Sequence, residues 1–113
     1  MEPSVNFFAG IGYVVKDAQF FTTRSDRPKV VFRMVLPRHP RRPRKSPEMG
    51  DYYSVVAVGD QFVPLVGHLR QGVPVVVFGY VQSRDITQDG KEHTVSEIGA
   101  EAIYLIREMG DQK

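Results

Sequence analysis

The 113-residue sequence has no cysteine and no tryptophan, and its formal net charge is only +2. Without cysteine it has no disulfide and no thiolate metal site, which fits a reducing cytoplasm. No apolar run is long enough to cross a membrane, and the first residues lack the basic and apolar regions of a signal peptide. Since 42% of the residues are apolar and 25% are charged, the composition predicts one small globular domain.

Signatures of an enzyme are missing as well. The three histidines lie far apart, without the spacing of metal ligands. Gly10 and Gly12 lack the third glycine and the following helix of a dinucleotide-binding loop. Asp85, Asp89 and Glu92 bracket a predicted turn, where aspartate is favoured for turn geometry. We therefore expect no catalytic activity, no metal and no cofactor.

Valine, isoleucine, phenylalanine and tyrosine dominate the apolar residues, which favours strands over helices. One helix is predicted, with Asp60 as its N-cap, Pro64 in the first turn and Gly72 as its C-terminal stop. Its apolar residues have helical spacing: Phe62, Leu65, Val66 and Leu69. Asp89-Gly90 predicts a hairpin turn. The predicted strands cover 5–15 with a short continuation at 20–22, 29–36, 51–59, 73–83 and 93–105.

Three strands, a short helix and a long hairpin form the layout of an all-β, five-stranded OB-fold barrel, which is the predicted fold class. We expect this domain to span residues 1–106, followed by a short polar end at 107–113. Such barrels bind oligonucleotides on their second and third strands and on the flanking loops. In this chain, the most basic segment of the sequence joins those two strands.

That segment, residues 38–47 (RHPRRPRKSP), combines prolines with cations and has no apolar face, so it is predicted to be a solvated loop. Without its five cations the formal net charge changes from +2 to −3. Cations beside a binding face attract the phosphates of a single strand by counterion release, although such a loop can also serve solubility alone. The predicted phosphate contacts of this basic loop are Arg38, Arg41, Arg42, Arg44 and Lys45.

Segments along nearly the whole chain resemble the bacterial single-stranded DNA-binding protein family. They are VN at 5–6, VVFRMVLPR at 30–38, DYYSVVAVG at 51–59, HLRQG at 68–72, VVVFGYVQSR at 75–84 and TVSEIGAEAI at 94–103. The resemblance implies an OB fold and binding of single-stranded DNA with little sequence preference, in replication, recombination or repair. It also implies a homo-oligomer, either a tetramer or a dimer.

The sequence departs from this family in its aromatic residues and at its C-terminus. Members of the family stack bases on aromatic side chains, often tryptophan, at several positions. In this sequence, Tyr52 is the one residue at these positions that is clearly aromatic. The other stacking positions carry Pro40, Val58 and Ile86. Val58 and Ile86 are still predicted to contact the nucleic acid. Residues 107–113 do not resemble the acidic C-terminal tail of the family. We therefore expect binding to depend more on charge and less on stacking than in the family.

Further candidates for the nucleic-acid site come from strand alternation. Tyr52 and Ser54 share the face of the third strand that should point outward, where Tyr52 either stacks on a base or packs within the sheet or a subunit contact. Arg33, in the middle of the second strand, either contacts a phosphate or base or forms a cross-strand salt bridge. Arg84 and Lys91 flank the hairpin turn and are assigned to the phosphate track.

A second set of residues is assigned to an oligomer interface. Val76, Phe78 and Tyr80 form an apolar strip on the fourth strand, for which a subunit contact is preferred over base stacking. Tyr53 points away from Tyr52, toward the core or an interface, and Asn6 completes the set. The alternative function is that of a primosomal replication protein of the same fold, which acts mainly through protein contacts and binds single-stranded DNA weakly. Replication proteins are therefore further candidate partners.

Overall fold

The computed structural model describes residues 4–41 and 50–106. These residues form five strands and one short 3₁₀ helix, which lies between the third and fourth strands. No helix among the described residues is long and apolar enough to span a membrane. The elements are β1 (Phe8–Thr22), β2 (Pro28–Pro37), β3 (Gly50–Val58), the 3₁₀ helix (Asp60–His68), β4 (Pro74–Gln88) and β5 (Lys91–Leu105).

The strands close into a barrel in the order β1-β2-β3-β5-β4. All neighbouring pairs are antiparallel except β3 and β5, whose short parallel contact, Val55 with Ile98 and Val56 with Gly99, completes the ring. The predicted five-stranded OB barrel is thus confirmed. Because β5 pairs with β3 only at this point, the outer half of the β4–β5 hairpin extends beyond the barrel.

The barrel interior is filled by one face of each strand, as period-two alternation requires. On β2 the buried residues are Val30, Phe32 and Met34, and on β3 they are Val55 and Ala57. The remaining core residues come from β1, the helix region, β4 and β5: Val14, Phe62, Leu69, Val75, Val77, Ile98 and Ile103. The outer faces of β2 and β3 are therefore left free to carry a site.

The predicted helix is present, but the predicted N-cap and C-terminal end are wrong. Its N-cap is Gly59, whose φ of 136° favours glycine, and no side chain caps the helix. Asp60 is instead its first residue, and the amide of Phe62 donates to the Gly59 carbonyl at 3.3 Å, a three-residue bond. The helix ends at His68, and Gly72 lies beyond it, where its amide donates to Val14.

The first strand is continuous across residues 16–19, where the sequence predicted a break. Its pairing with β2 shifts register twice, between Val14 and Lys16 and between Lys16 and Gln19. These irregularities let one strand pair with β4 through its first half and with β2 through its second half. They lie downstream of Gly12, whose missing side chain instead leaves room for the backbone carbonyl of Val35.

The β4–β5 hairpin is longer than predicted, and its turn is confirmed. Asp89 and Gly90 both have positive φ, 54° and 74°, as a two-residue turn between twisted strands requires. Pairing continues to the residues that flank the turn, Gln88 and Lys91. The hairpin therefore forms a long arm whose register is fixed by its turn.

Candidate nucleic-acid interface

The outer face of β2 and β3 carries paired rows of side chains. Arg33 lies opposite Ser54, and Val35 lies opposite Tyr52. Arg33 and Tyr52 are both exposed, whereas Phe32 and Met34, the neighbours of Arg33, belong to the core and Tyr53 packs against it. The predicted outward orientation of these side chains is therefore the one that the strands adopt.

Arg33 and Tyr52 are also in direct contact. The guanidinium carbon of Arg33 lies over the Tyr52 ring, 5.7 Å from its centroid, in a cation–π arrangement. The cross-strand neighbours of Arg33 are Lys16 and Ser54, so neither offers a carboxylate for the salt bridge that the sequence left open. The pair presents a ring and a cation side by side, which suits a base and its phosphate.

The protruding hairpin forms a wall beside this face. Together they enclose a continuous groove, called here the strand cleft, whose two ends share Ser54, Arg84 and Glu97. At one end the lining continues with Arg33, Tyr52, Ile86, Val95 and Ser96. At the other end it continues with Phe21, Lys29, Val31 and Val56. The cleft thus brings together five predicted site residues from three strands: Arg33, Tyr52, Ser54, Arg84 and Ile86.

Comparison of the sequence with models of protein families gives a result that is consistent with this groove. The model of the single-strand binding protein family matches residues 5–106. The chain belongs to this family. Membership confirms the resemblance seen in the sequence and the predicted function, the binding of single-stranded DNA.

Solved structures with the same fold include proteins from two organisms. The SSB of Plasmodium falciparum, solved in complex with single-stranded DNA, has a TM-score of 0.76 and 21% identity, covering 95% of this chain and 99% of that one. The small single-stranded DNA-binding protein from Streptomyces coelicolor has a TM-score of 0.68 and 25% identity, covering 88% and 93%. Among proteins with curated descriptions, none matches this sequence.

The first strand adds residues to this outer face that sequence reasoning missed. Lys16 lies opposite Arg33, Gln19 opposite Val31 and Phe21 opposite Lys29, and all three β1 residues are exposed. The irregular pairing of β1 hides this alignment, because its side chains do not alternate evenly over this stretch. The sequence predicts a strand at Lys29, but the position of Lys29 at one end of the cleft also depends on the hairpin.

Arg84, which the sequence assigns to the phosphate track, lines the cleft and is ion-paired. Its Nε donates to Glu97 Oε1 at 2.9 Å, and Gln82 Nε2 donates to Glu97 Oε2 at 2.7 Å. The Glu97 side chain is 5% exposed, whereas that of Arg84 is 58% exposed. A cation is therefore held at the cleft surface above a buried carboxylate.

The basic loop is only partly covered by the described residues. Arg38 forms an ion pair with Asp51 at 3.3 Å, with both side chains about one-fifth exposed at 20% and 22%. Arg41 is exposed, and its amide donates to His39 Nδ1. Three predicted phosphate contacts lie outside the described residues: Arg42, Arg44 and Lys45. The charge of Arg38 is compensated within the protein, which the sequence did not indicate.

Two further predicted residues lie at the margins of the site. Val58 is half-buried opposite Lys29, next to the Phe21 end of the cleft but not lining it. Lys91 is exposed at the hairpin turn, opposite Gln88 and away from the cleft. Among the described residues, no cluster of histidine and acidic side chains could hold a metal ion.

The apolar strip of β4 lies outside the barrel on a different face. Phe78 is 36% exposed, and its ring contacts Phe7 at 6.4 Å and Tyr104 at 6.1 Å between centroids. Tyr80 lies with its ring against Gly99, where any β-carbon would collide with it. The strip is thus wider than the sequence indicated, because it gains aromatic rings from the chain before β1 and from β5.

The last two predicted interface residues make contacts within the chain. Both polar atoms of the Asn6 carboxamide pair with the backbone of Val81: Nδ2 donates to its carbonyl at 2.7 Å, and Oδ1 accepts from its amide at 2.8 Å. Tyr53, opposite Met34, packs against the core cluster. The side chain of Asn6 thus acts like an additional strand residue beside β4.

Proposed function

We propose that single-stranded DNA follows the strand cleft, held by charge and stacking and left chemically unchanged. The observation that carries this proposal is the Arg33–Tyr52 pair, a cation over a ring in a groove bounded by the hairpin. Base stacking on an exposed aromatic tolerates every base, so this site has no strong sequence preference. The proposal needs no catalytic group and no cofactor.

The length of the cleft supports binding of several nucleotides. Its lining extends along β2 from Lys29 to the level of Val35, the cross-strand partner of Tyr52. Six residues at about 3.3 Å each give a track of about 20 Å. This suits the lower part of the range of roughly 4–16 nucleotides that one OB fold covers.

The basic loop extends this track. It leaves β2 after Pro37 and returns at Gly50, which pair with each other one step beyond the row of Leu36 and Asp51. The loop therefore starts at the Tyr52 end of the cleft. In this proposal its cations neutralise phosphates of the strand that leaves the groove. Because Arg38 is already paired with Asp51, the proposed contribution comes mainly from Arg41, Arg42, Arg44 and Lys45.

The proposed assembly is a homo-oligomer, a tetramer or a dimer, that uses the aromatic strip around Phe78. Exposed aromatic surface of this kind is typical of a protein contact. In this form the chain would protect single strands during DNA replication, recombination or repair in the cytoplasm, with replication proteins as further partners.

The test is a titration of oligo-dT at two salt concentrations, with the mass of the protein measured in parallel. A variant in which the five loop cations become glutamine should bind more weakly and with a flatter salt dependence. The slope of log K against log salt should fall by up to about 2.8, that is about 0.7 for each of four phosphates. The control variant carries lysine at positions 38, 41, 42 and 44, keeps the charge and should keep the slope.

Each part of the proposal has its own contrary result. Unchanged affinity of the glutamine variant at low salt would remove the basic loop from the track. Failure of the unmodified protein to bind oligo-dT would overturn the proposed function itself. A dimer that binds DNA weakly and without dependence on Tyr52 would instead favour a protein-interaction role of the primosomal type.

A further inference from the structure

The end of the strand cleft opposite Tyr52 also carries an aromatic ring beside a cation. Lys29 Nζ lies over the Phe21 ring, 5.8 Å from its centroid, and the two residues are direct cross-strand partners on β1 and β2. Both line the cleft together with Val31 and Val56. The arrangement repeats that of Arg33 and Tyr52, where the distance is 5.7 Å.

Phe21 is an exposed aromatic residue that does not pack against the core. The residue is 45% exposed and does not belong to the core cluster or to the residues packed against it. Its neighbour Phe20 is a useful contrast, since it is 49% exposed but pairs with Val30, whose side chain points into the barrel. Alternation therefore places Phe20 on the opposite face from Phe21. Only Phe21 opens onto the cleft.

We infer that Phe21 is a second base-stacking residue, which receives a nucleobase about 20 Å from the base on Tyr52. Lys29 then contacts the adjacent phosphate, the role proposed for Arg33 at the other end. The inference rests on the proposed path of the DNA along the cleft. The inference assigns a stacking role to a residue on β1. Phe21 would partly compensate for the family's stacking positions that carry Val58 and Ile86 in this chain.

The absence of tryptophan gives a direct test, because an introduced tryptophan is the sole one in the chain. Phe21→Trp should report stacking through quenching of its fluorescence when oligo-dT binds. Phe20→Trp is the matched control, one residue away with similar exposure on the other face, and its emission should change little. Equal quenching of both variants, or none in Phe21→Trp while the DNA binds, would overturn the inference.

Affinity provides the second measurement. Phe21→Ala should weaken binding of oligo-dT by about five-fold or more, within the range measured for loss of one stacked base. Phe21→Leu keeps apolar bulk and should lose most of the same affinity, whereas Phe20→Ala should lose little. Binding of the unmodified protein together with a loss in Tyr52→Ala, but none in Phe21→Ala, would reject this inference and leave the proposed function intact. No binding by any of them would reject the proposed function.

Discussion

The guanidinium of Arg84 and the carboxylate of Glu97 form an ion pair across the β4–β5 hairpin, with Nε and Oε1 2.9 Å apart. The carboxylate is buried, but the cation faces the strand cleft. A negative charge in a groove for a polyanion opposes binding unless a cation covers it. Arg84 compensates the negative charge of Glu97, and the positive charge of Arg84 is therefore only partly available to a phosphate.

Glu97→Gln should release this charge. The variant keeps the shape of the side chain and its bond from Gln82, while Arg84 gains an unshared charge at the cleft surface. We expect tighter binding of oligo-dT at low salt and a salt slope steeper by about 0.7, the equivalent of one phosphate. The free energy of unfolding should fall by about 1–3 kcal/mol, because the buried amide nitrogen of the variant faces the Arg84 Nε–H, which is also a donor.

The control for this change is Glu101→Gln, which removes one negative charge from an exposed position on the same strand. It raises the net charge equally but leaves the cleft unaltered. If the two variants steepen the salt slope to the same degree, the effect comes from net charge and not from release of Arg84.

Tyr52→Ala should weaken oligo-dT binding by about 1–3 kcal/mol, the usual contribution of one stacked base. Its free energy of unfolding should fall by about 1 kcal/mol or less, because the residue is 49% exposed and loses one exposed cation–π contact. Tyr52→Phe keeps the ring and should keep the affinity. Fluorescence anisotropy of labelled oligo-dT and urea unfolding measure the two quantities.

The neighbouring tyrosine gives the converse result. Tyr53→Ala removes a ring that packs against the core, so it should cost more than about 1 kcal/mol of stability with little effect on DNA affinity in the folded fraction. Comparable losses of affinity in Tyr52→Ala and Tyr53→Ala would show that stability, and not stacking, controls binding.

Regular strands explain why part of the site could be predicted from the sequence. Alternation along β2 and β3 is unbroken, so the outward positions of Arg33, Tyr52 and Ser54 follow from the pattern alone. The β1 residues could not be placed in this way. Two register shifts separate Val14 from Phe21, and each changes which side chains share a face.

The register that brings Gln82 and Arg84 close to Glu97 follows from the position of the hairpin turn in the sequence. A two-residue turn at Asp89-Gly90 pairs Gln88 with Lys91 and, counting back along both strands, Gln82 with Glu97. The position of the confirmed turn therefore determines the register of the whole hairpin. Burial of Glu97 could not be read in the same way, because it depends on where the hairpin lies against β3.

Asn6→Ala should destabilise the chain and not its assembly. Both hydrogen bonds of the carboxamide go to Val81, and at an exposed site their joint loss should cost about 1 kcal/mol. Hydrogen exchange of the Val81 amide should become faster, since that amide loses its acceptor. A change in oligomer mass with unchanged exchange at Val81 would instead support the interface role predicted from the sequence.

Phe78→Glu should dissociate the proposed oligomer while leaving the barrel folded. The ring lies at the centre of the aromatic strip, between Phe7 and Tyr104, and a carboxylate there would have to be desolvated in any subunit contact. Light scattering at several protein concentrations should show a mass closer to one chain, and circular dichroism should still show the strands.

The matched control is Val63→Glu, on the 3₁₀ helix, where the native residue is 38% exposed compared with 36% for Phe78. Both changes add one negative charge to a partly exposed apolar site, so effects of net charge are equal. Only Phe78→Glu alters the strip, and only this variant should lose mass. If both variants keep the mass of the unmodified protein, the strip is not the contact that holds the assembly together, and its exposed rings need another partner.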